Sequence, residues 1–243
     1  MGQKYSSTMK GKLYLIPLPL AEDCLEWTIP AAVAPLAKQL KHFIVESEKI
    51  SRRYLKKLDR TINIDELQFH LLNEHTPENE SRSFLKAALE GEDVGLMSDA
   101  GCPAVADPGA LVVALAHRLG IQVVPLTGPS SLLLTLMGSG FNGQCFAFQG
   151  YLPVDKVKRK QRLLALEAES RQKKMTMLFI ETPYRNNQMM ETLLECCHGE
   201  TRLCIGTDLT SENELLRSQT VRAWQIAKPD LHKRPTVFAL YVG

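Results

Sequence analysis

The chain has 243 residues, 44% of them hydrophobic and 23% charged, with a formal net charge of +2. That length accommodates one large or two small domains with proper cores, and the composition is that of an ordinary globular protein. The near-neutral balance excludes a globally basic nucleic-acid binder, so any polyanion contact must come from local patches.

No apolar run reaches the length of a membrane span, and the first residues lack a signal-peptide pattern, so a cytoplasmic protein is expected. Met1-Gly2 with Ser6 fits a myristoylation pattern, but nothing else in the sequence points to a membrane. The 6 cysteines form no C-x-x-C pair, and Cys145 and Cys204 sit inside apolar runs. They read as reduced thiols, neither a disulfide framework nor a zinc site.

Residues up to Lys10 read as a disordered tail. Lys12 to Ile16 is the first strand, ended by Pro17 and Pro19, which cannot donate to a ladder. Thr28 and Pro30 mark a helix start, with apolar spacing through Ala32, Val33, Leu36 and Leu40. His42 to Val45 is a strand, and Lys49 to Leu58 is helical. On that helix Arg52, Lys56 and Arg60 fall at i, i+4 and i+8, beside Arg53 and Lys57. The ridge is either a solvated face or a phosphate contact.

Glu66 to Leu72 is a further strand, and a helix from Pro77 runs through Phe84, Leu85, Ala88 and Leu89 to Gly91. Val94 to Met97 is a short buried strand, followed by small residues from Ser98 to Gly109 and then a helix through Leu111, Val112, Leu115 and Leu119. A strand that breaks into a small-residue loop and restarts as a helix is how open α/β sheets build ligand sites. It is also how they build plain tight connections. Ile121 to Leu126 is a strand, broken by Thr127 to Ser131 before a helix over Leu132 to Met137.

The second half has strands at Cys145 to Gln149, Met175 to Ile180 and Leu203 to Gly206, with two longer ones at Glu214 to Trp224 and Thr236 to Val242. A basic helix carries Lys156, Lys158, Arg159, Lys160 and Arg162, and another helix runs through Met189, Met190 and Leu194. Alternating strands and helices predict a mostly parallel sheet first, and consecutive late strands predict a mixed sheet second. The expected division is an α/β domain over 1–127 and an α/β domain over 128–243.

No dinucleotide fingerprint, Walker loop or metal-ligand spacing is present, and Ser130 and Ser131 lack an obvious base. What remains is a set of small-residue loops at strand ends. Several of these loops together carry a family resemblance. Ser98-Asp-Ala-Gly-Cys-Pro-Ala-Val-Ala-Asp-Pro-Gly109, Pro125-Leu-Thr-Gly-Pro-Ser130, Phe148-Gln-Gly-Tyr-Leu-Pro153, Phe179-Ile-Glu-Thr-Pro-Tyr-Arg185 and Asp208-Leu-Thr210 occur in order across nearly the whole chain. They resemble the tetrapyrrole methylase superfamily, and within it the enzymes that methylate small-subunit ribosomal RNA.

The resemblance implies two α/β domains of tetrapyrrole methylase type, usually dimeric, using S-adenosylmethionine held in a cleft between domains, with no metal. It places cofactor contacts on Pro17, Asp99, Gly101, Pro103, Val105, Ser130, Ser131, Glu181 and Thr182. A sulfonium wants carbonyls or π faces around it, and small-residue loops supply backbone groups. If the acceptor is the ribose 2′-hydroxyl of a cytidine in the small ribosomal subunit, Glu46, Glu74 and His75 are candidate bases. Arg52, Arg53, Lys56, Lys158, Arg159 and Arg162 are then candidate nucleic-acid contacts.

The sequence departs from the family at Leu20 to Glu22, where Gly-Asn is expected, and at Ser47 to Lys49, where Asp and Arg are lost. Leu72-Asn-Glu-His-Thr76 keeps Glu74 and His75 of its motif, while Gly206 to Ser211 loses an Arg and a Lys. These departures leave open a small-molecule acceptor such as a tetrapyrrole, or a cofactor- or RNA-binding protein without catalysis.

Overall fold

In the computed structural model, residues 9–73 and 75–243 are described. The myristoylation pattern, most of the expected tail and Glu74 lie outside them. The chain divides into two compact units, Met1–Pro129 and Ser130–Gly243.

The first unit carries five strands, β1 (Lys12–Leu15), β2 (His42–Val45), β3 (Gln68–Leu71), β4 (Val94–Met97) and β5 (Gln122–Pro125). They hydrogen-bond in the order β3-β2-β4-β1-β5, every pair parallel. Parallel neighbours need crossovers, supplied by α1 (Leu25–Thr28), α2 (Val33–Ala37), α3 (Glu48–Leu58), α4 (Glu78–Phe84), α5 (Lys86–Leu89) and α6 (Gly109–Arg118). Strand alternation sorts the core. Leu13, Leu15, Ile44, Val94 and Leu96 pack with Leu85, Ala88, Val112 and Leu115 on one face. Ile16, Phe43, Val45 and Met97 pack with Val33, Ala37, Tyr54 and Leu55 on the other.

The chain therefore leaves β1 toward α1 and α2 on one face, and leaves its neighbour β4 toward α6 on the opposite face. Adjacent parallel strands whose connections part in this way open a crevice beyond their carboxyl ends, the usual ligand position of open α/β sheets.

The second unit holds α7 (Ser131–Ser139), β6 (Phe146–Tyr151), α8 (Lys156–Lys173), β7 (Thr176–Ile180), α9 (Asn186–Cys196), β8 (Arg202–Thr207), β9 (Leu215–Thr220), α10 (Val221–Ile226) and β10 (Thr236–Tyr241). Its sheet runs β6-β7-β10-β8-β9 and is mixed: β6 and β7 are parallel, and the remaining pairs are antiparallel. Met177, Phe179, Leu203, Ile205, Phe238 and Leu240 face α8 to α10, while Leu178, Cys204, Val237 and Ala239 face α7.

Three expectations on local structure need correcting. The helix expected from Thr28 is two short helices, the first ending at Thr28 before Pro30. The helix from Pro77 is interrupted at Leu85. Glu214 to Trp224 is not one long strand: β9 stops at Thr220, whose hydroxyl accepts from Ala223 N at 3.2 Å and caps α10. Val221 and Trp224 then share the buried face of α10, and the Trp224 indole donates to Leu203 O at 2.9 Å.

Gly95 is the tight point of the first sheet. A β-carbon there would stand 2.9 Å from Ile16 Cδ1 and from Phe43 Cδ1. Gly95→Val is expected to destabilise the protein by about 1–3 kcal/mol through overpacking, read as a lower urea midpoint at unchanged m value.

Candidate functional site

The site of the first unit is built from the segments that follow β1, β2, β4 and β5, all at the carboxyl edge of one parallel sheet. Tyr54 on α3 is buried and donates its hydroxyl to Pro17 O at 2.7 Å, fixing the chain just beyond β1. Leu18 and Gly101 then exchange backbone hydrogen bonds at 2.9 and 3.0 Å, so the loops after β1 and β4 are tied across the crevice. Gly101 sits at φ +71°, with Leu20 Cδ2 3.2 Å from where a β-carbon would be. At Gly128, beyond β5, a β-carbon would collide with the Pro17 ring, so only glycine allows this approach.

The loop from Ser98 to Pro108 is strained and braced. Ala104 and Ala106 both lie in the left-handed region, at φ 67° and 64°. Such backbone persists only where the surroundings over-determine it, and it clusters at functional sites. The brace is Asp107, whose Oδ1 accepts from Ala104 N at 3.0 Å and Gly109 N at 2.7 Å. Cys102 donates its thiol to Pro129 O at 3.3 Å, and burial pushes that thiol above its ordinary pKa, so it is a tether and not a nucleophile.

Glu46 joins the end of β2 to this loop. Its Oε2 accepts from the backbone N–H of Asp99 at 2.9 Å. Burial holds the carboxyl above the usual carboxylate range, with repulsion from Asp107 and Asp99 adding to it. Burial raises Asp99 as well, and raises Asp107 against the hydrogen bonds that lower it. Among the described residues no ion pair neutralises any of the three. A strand-end loop with three under-compensated carboxyls and exposed backbone suits a ligand that brings positive charge.

The other expected positions have separate surroundings. Pro103 is buried in the loop and Val105 is 48% exposed on it. His75 is exposed, and its backbone N–H donates to Asn73 Oδ1 at 2.9 Å. Glu74 lies outside the described residues. In the second unit Ser130 caps α7, accepting from Leu133 N at 3.5 Å, and Ser131 begins that helix. Glu181 is buried at the end of β7, where its Oε1 accepts from Thr182 N and from Arg185, each at 2.6 Å. Its Oε2 is buried without a partner among the described residues, leaving an acceptor for a donor the chain does not supply.

The expected nucleic-acid contacts divide by burial. Arg159 is 4% exposed, with Nε on Thr192 Oγ1 at 3.1 Å and Nη1 on Val154 O at 2.9 Å. It holds α8 to α9 and to the preceding loop, so the expectation that it meets phosphate is corrected. Lys158 beside it is exposed, and half-buried Arg162 donates to Gln149 Oε1 at 2.6 Å. On α3, Arg52 pairs with Glu48 and lies over the Phe69 ring, Arg53 pairs with Glu22, and Lys56 binds the carbonyls of Arg60 and Ile62. The exposed pairs are weak enough to exchange for phosphate. A helix whose cations alternate between anchor and surface shows no such division in its charge pattern. The signal that singles out Arg159 is its spacing with Leu163 and Leu166 on the apolar face.

Among the described residues no helix is long and apolar enough to cross a membrane, and no group of His, Cys, Asp and Glu is placed to hold a metal ion.

Fold and loops together define an α/β protein of two sheets, parallel then mixed, with its candidate ligand loops at strand carboxyl ends. Residues 31–224 match the tetrapyrrole (corrin/porphyrin) methylases, and the chain belongs to that family. It is 38% identical over 151 residues to "Ribosomal RNA small subunit methyltransferase I" of Mesorhizobium japonicum, covering 62% of this chain and 50% of that one. It is 32% identical over 205 residues to the protein of the same name from Halalkalibacterium halodurans, covering 84% of this chain and 66% of that one. The chain spans about half the length of the first curated relatives it matches. The crystal structure of diphthine synthase shares the fold at a TM-score of 0.68 and 14% identity, covering 96% of this chain and 90% of that one.

Two outcomes follow from this geometry. Glu46 has a raised pKa in the folded state. Its contribution to stability is therefore full while the carboxyl is protonated, below its unfolded pKa, and is lost as pH rises through the folded one. Glu46→Gln keeps an acceptor for the Asp99 amide and removes the charge. The variant is expected to melt higher than the parent at pH 8, with the gap closing as the pH falls below the carboxylate range. Arg159→Ala is expected to lower stability by about 1–3 kcal/mol by orphaning buried acceptors, with the loss seen in denaturant melts rather than in the salt dependence of RNA binding.

Proposed function

We propose that this protein is an S-adenosylmethionine-dependent methyltransferase whose acceptor is the ribose 2′-hydroxyl of a cytidine in small-subunit ribosomal RNA, and that it works as a homodimer in the cytoplasm. The observation that carries this reading is the group Glu46, Asp99 and Asp107, where Glu46 after β2 hydrogen-bonds the braced loop after β4, and three carboxyls raised by burial have no cation partner among the described residues. A donor bearing a sulfonium and an ammonium meets that electrostatic demand. Relatives named as ribosomal RNA small subunit methyltransferase I support the choice of acceptor.

When bound, adenosylmethionine supplies an activated methyl group for in-line displacement, so the chain's own task is to position and to move one proton. Pro17, Gly101, Pro103 and Val105 offer backbone and small apolar surface, and the Asp99 carboxylate accepts donor hydroxyl or ammonium groups. Glu46 holds the loop through Oε2 and takes the acceptor proton at Oε1. Its raised pKa makes it a better base than an ordinary carboxylate. His75 and its sequence neighbour Glu74 are the other two candidate bases.

The test is transfer of labelled methyl from adenosylmethionine to purified small ribosomal subunits, with the modified nucleotide mapped. We expect one 2′-O-methylcytidine. We expect kcat of Glu46→Gln to fall at least tenfold, with adenosylmethionine bound more weakly because one of the three carboxyl charges is lost, and parental kcat to fall as pH drops through the Glu46 pKa. Full single-turnover activity in Glu46→Gln moves the base to Glu74 or His75. Absence of transfer to any ribosomal RNA overturns the acceptor.

A further inference from the structure

A second cleft, of about 580 Å3, lies wholly in the first unit. Its walls are the loop after β1, the short helix α1 and the outer face of α3, and it is separate from the loop that follows β4. Trp27 lines it and is 69% exposed, whereas Trp224 is 1% exposed and hydrogen-bonded. An indole left in water within a charged cleft is what stacks a base, because every base offers a π face.

The charges around Trp27 are ordered. Glu22 takes a bidentate pair from Arg53 at 2.8 and 2.9 Å, and its carbonyl accepts from Lys57 at 2.9 Å. That cancels Glu22 and fixes the wall. Arg60 is exposed, and its guanidinium has no hydrogen bond or ion pair among the described residues. Asp23 and Glu26 complete the lining on the α1 side. The cleft therefore offers a stacking face, a cationic side with an uncommitted guanidinium and a carboxylate side. Phosphate fits the cations, and carboxylates accept from exocyclic base amines such as cytosine N4.

We propose that this cleft binds one nucleotide of single-stranded RNA, its base stacked on Trp27 and its phosphate on Arg60 and Lys57. The inference rests on the reading that the acceptor is RNA. It adds a docking position that holds the strand beside the acceptor nucleotide, and it gives the substituted loop at Leu20 to Glu22 a purpose, since Glu22 organises the wall.

The full chain is titrated with an RNA of eight cytidines while tryptophan fluorescence is followed, with inorganic polyphosphate as a charge-only probe. Because Trp224 is buried, quenching reports Trp27. RNA is expected to quench and polyphosphate to leave the emission unchanged. Trp27→Ala should bind the RNA about fivefold to 150-fold more weakly, the range for losing one stacked base. Trp27→Phe should recover most of that affinity, and Arg60→Glu should weaken binding and flatten its salt dependence. Parental affinity in Trp27→Ala, absent quenching by RNA, or equal quenching by polyphosphate overturns the proposal. So does a change of oligomeric state in Trp27→Ala with RNA affinity unchanged, which would assign the face to a second copy. RNA-dependent quenching without methyl transfer would keep the cleft and sink the proposed activity. Methylation with an unchanged KM in Trp27→Ala would sink the cleft alone.

Discussion

The backbone exchange between Leu18 and Gly101 is the constraint on which the first unit's site depends. It ties together two loops that the sheet order sends toward opposite faces, and so turns an open crevice into a shaped one. Everything nearby serves it. The Tyr54 hydroxyl holds Pro17, Gly128 lets the Pro17 ring approach, and Glu46 secures the Asp99 amide. Asp107 stabilises the backbone on the far side, where two alanines take up left-handed conformations. Each element costs some stability: strain in the alanines, desolvation in the carboxyls. The cores on both faces of the parallel sheet offset those costs.

The carboxyls show that a residue can hold a structure and still be available for chemistry. One oxygen of Glu46 accepts a backbone bond, which orients the side chain without consuming the other. Burial disfavours its charged form, and no cation among the described residues pairs with it. A folded protein tolerates such a group where a ligand's charge completes it, the usual meaning of perturbed acids at a strand-end loop.

Much of this was legible in the sequence. Apolar runs such as Val94–Met97 and His42–Val45 marked strands because both faces of a parallel sheet are buried. The small residues after Met97 marked the tight, braced loop between β4 and α6. What stayed hidden depended on long-range partners. Nothing local to Glu46 reveals that it meets an amide 53 residues away. Arg159 and Lys158 look alike in a basic run; packing against α9 separates anchor from surface charge, and the local sign of it was the spacing of Arg159 with Leu163 and Leu166. The α10 helix was missed for a nearer reason. Leu215, Leu216, Val221 and Trp224 read as belonging to one strand, with Thr220 as a strand residue rather than a cap. Trp27 drew no attention, because exposure cannot be read from a single aromatic residue.

On the proposed reading, a methyl donor of positive charge and an acceptor of negative charge make opposite demands on one small protein, and the charges of this chain are segregated to match. The acids without a cation partner among the described residues sit on loops beyond β2 and β4, close to buried backbone. The cations line the outer faces of α3 and α8, where water and neighbouring acids keep them soluble. A net charge of +2 is the sum of these two populations and describes neither. The same segregation explains why ordinary composition gave so little indication of function. Specific fields arise over a few ångströms, where desolvation amplifies them, and they average away over the whole chain.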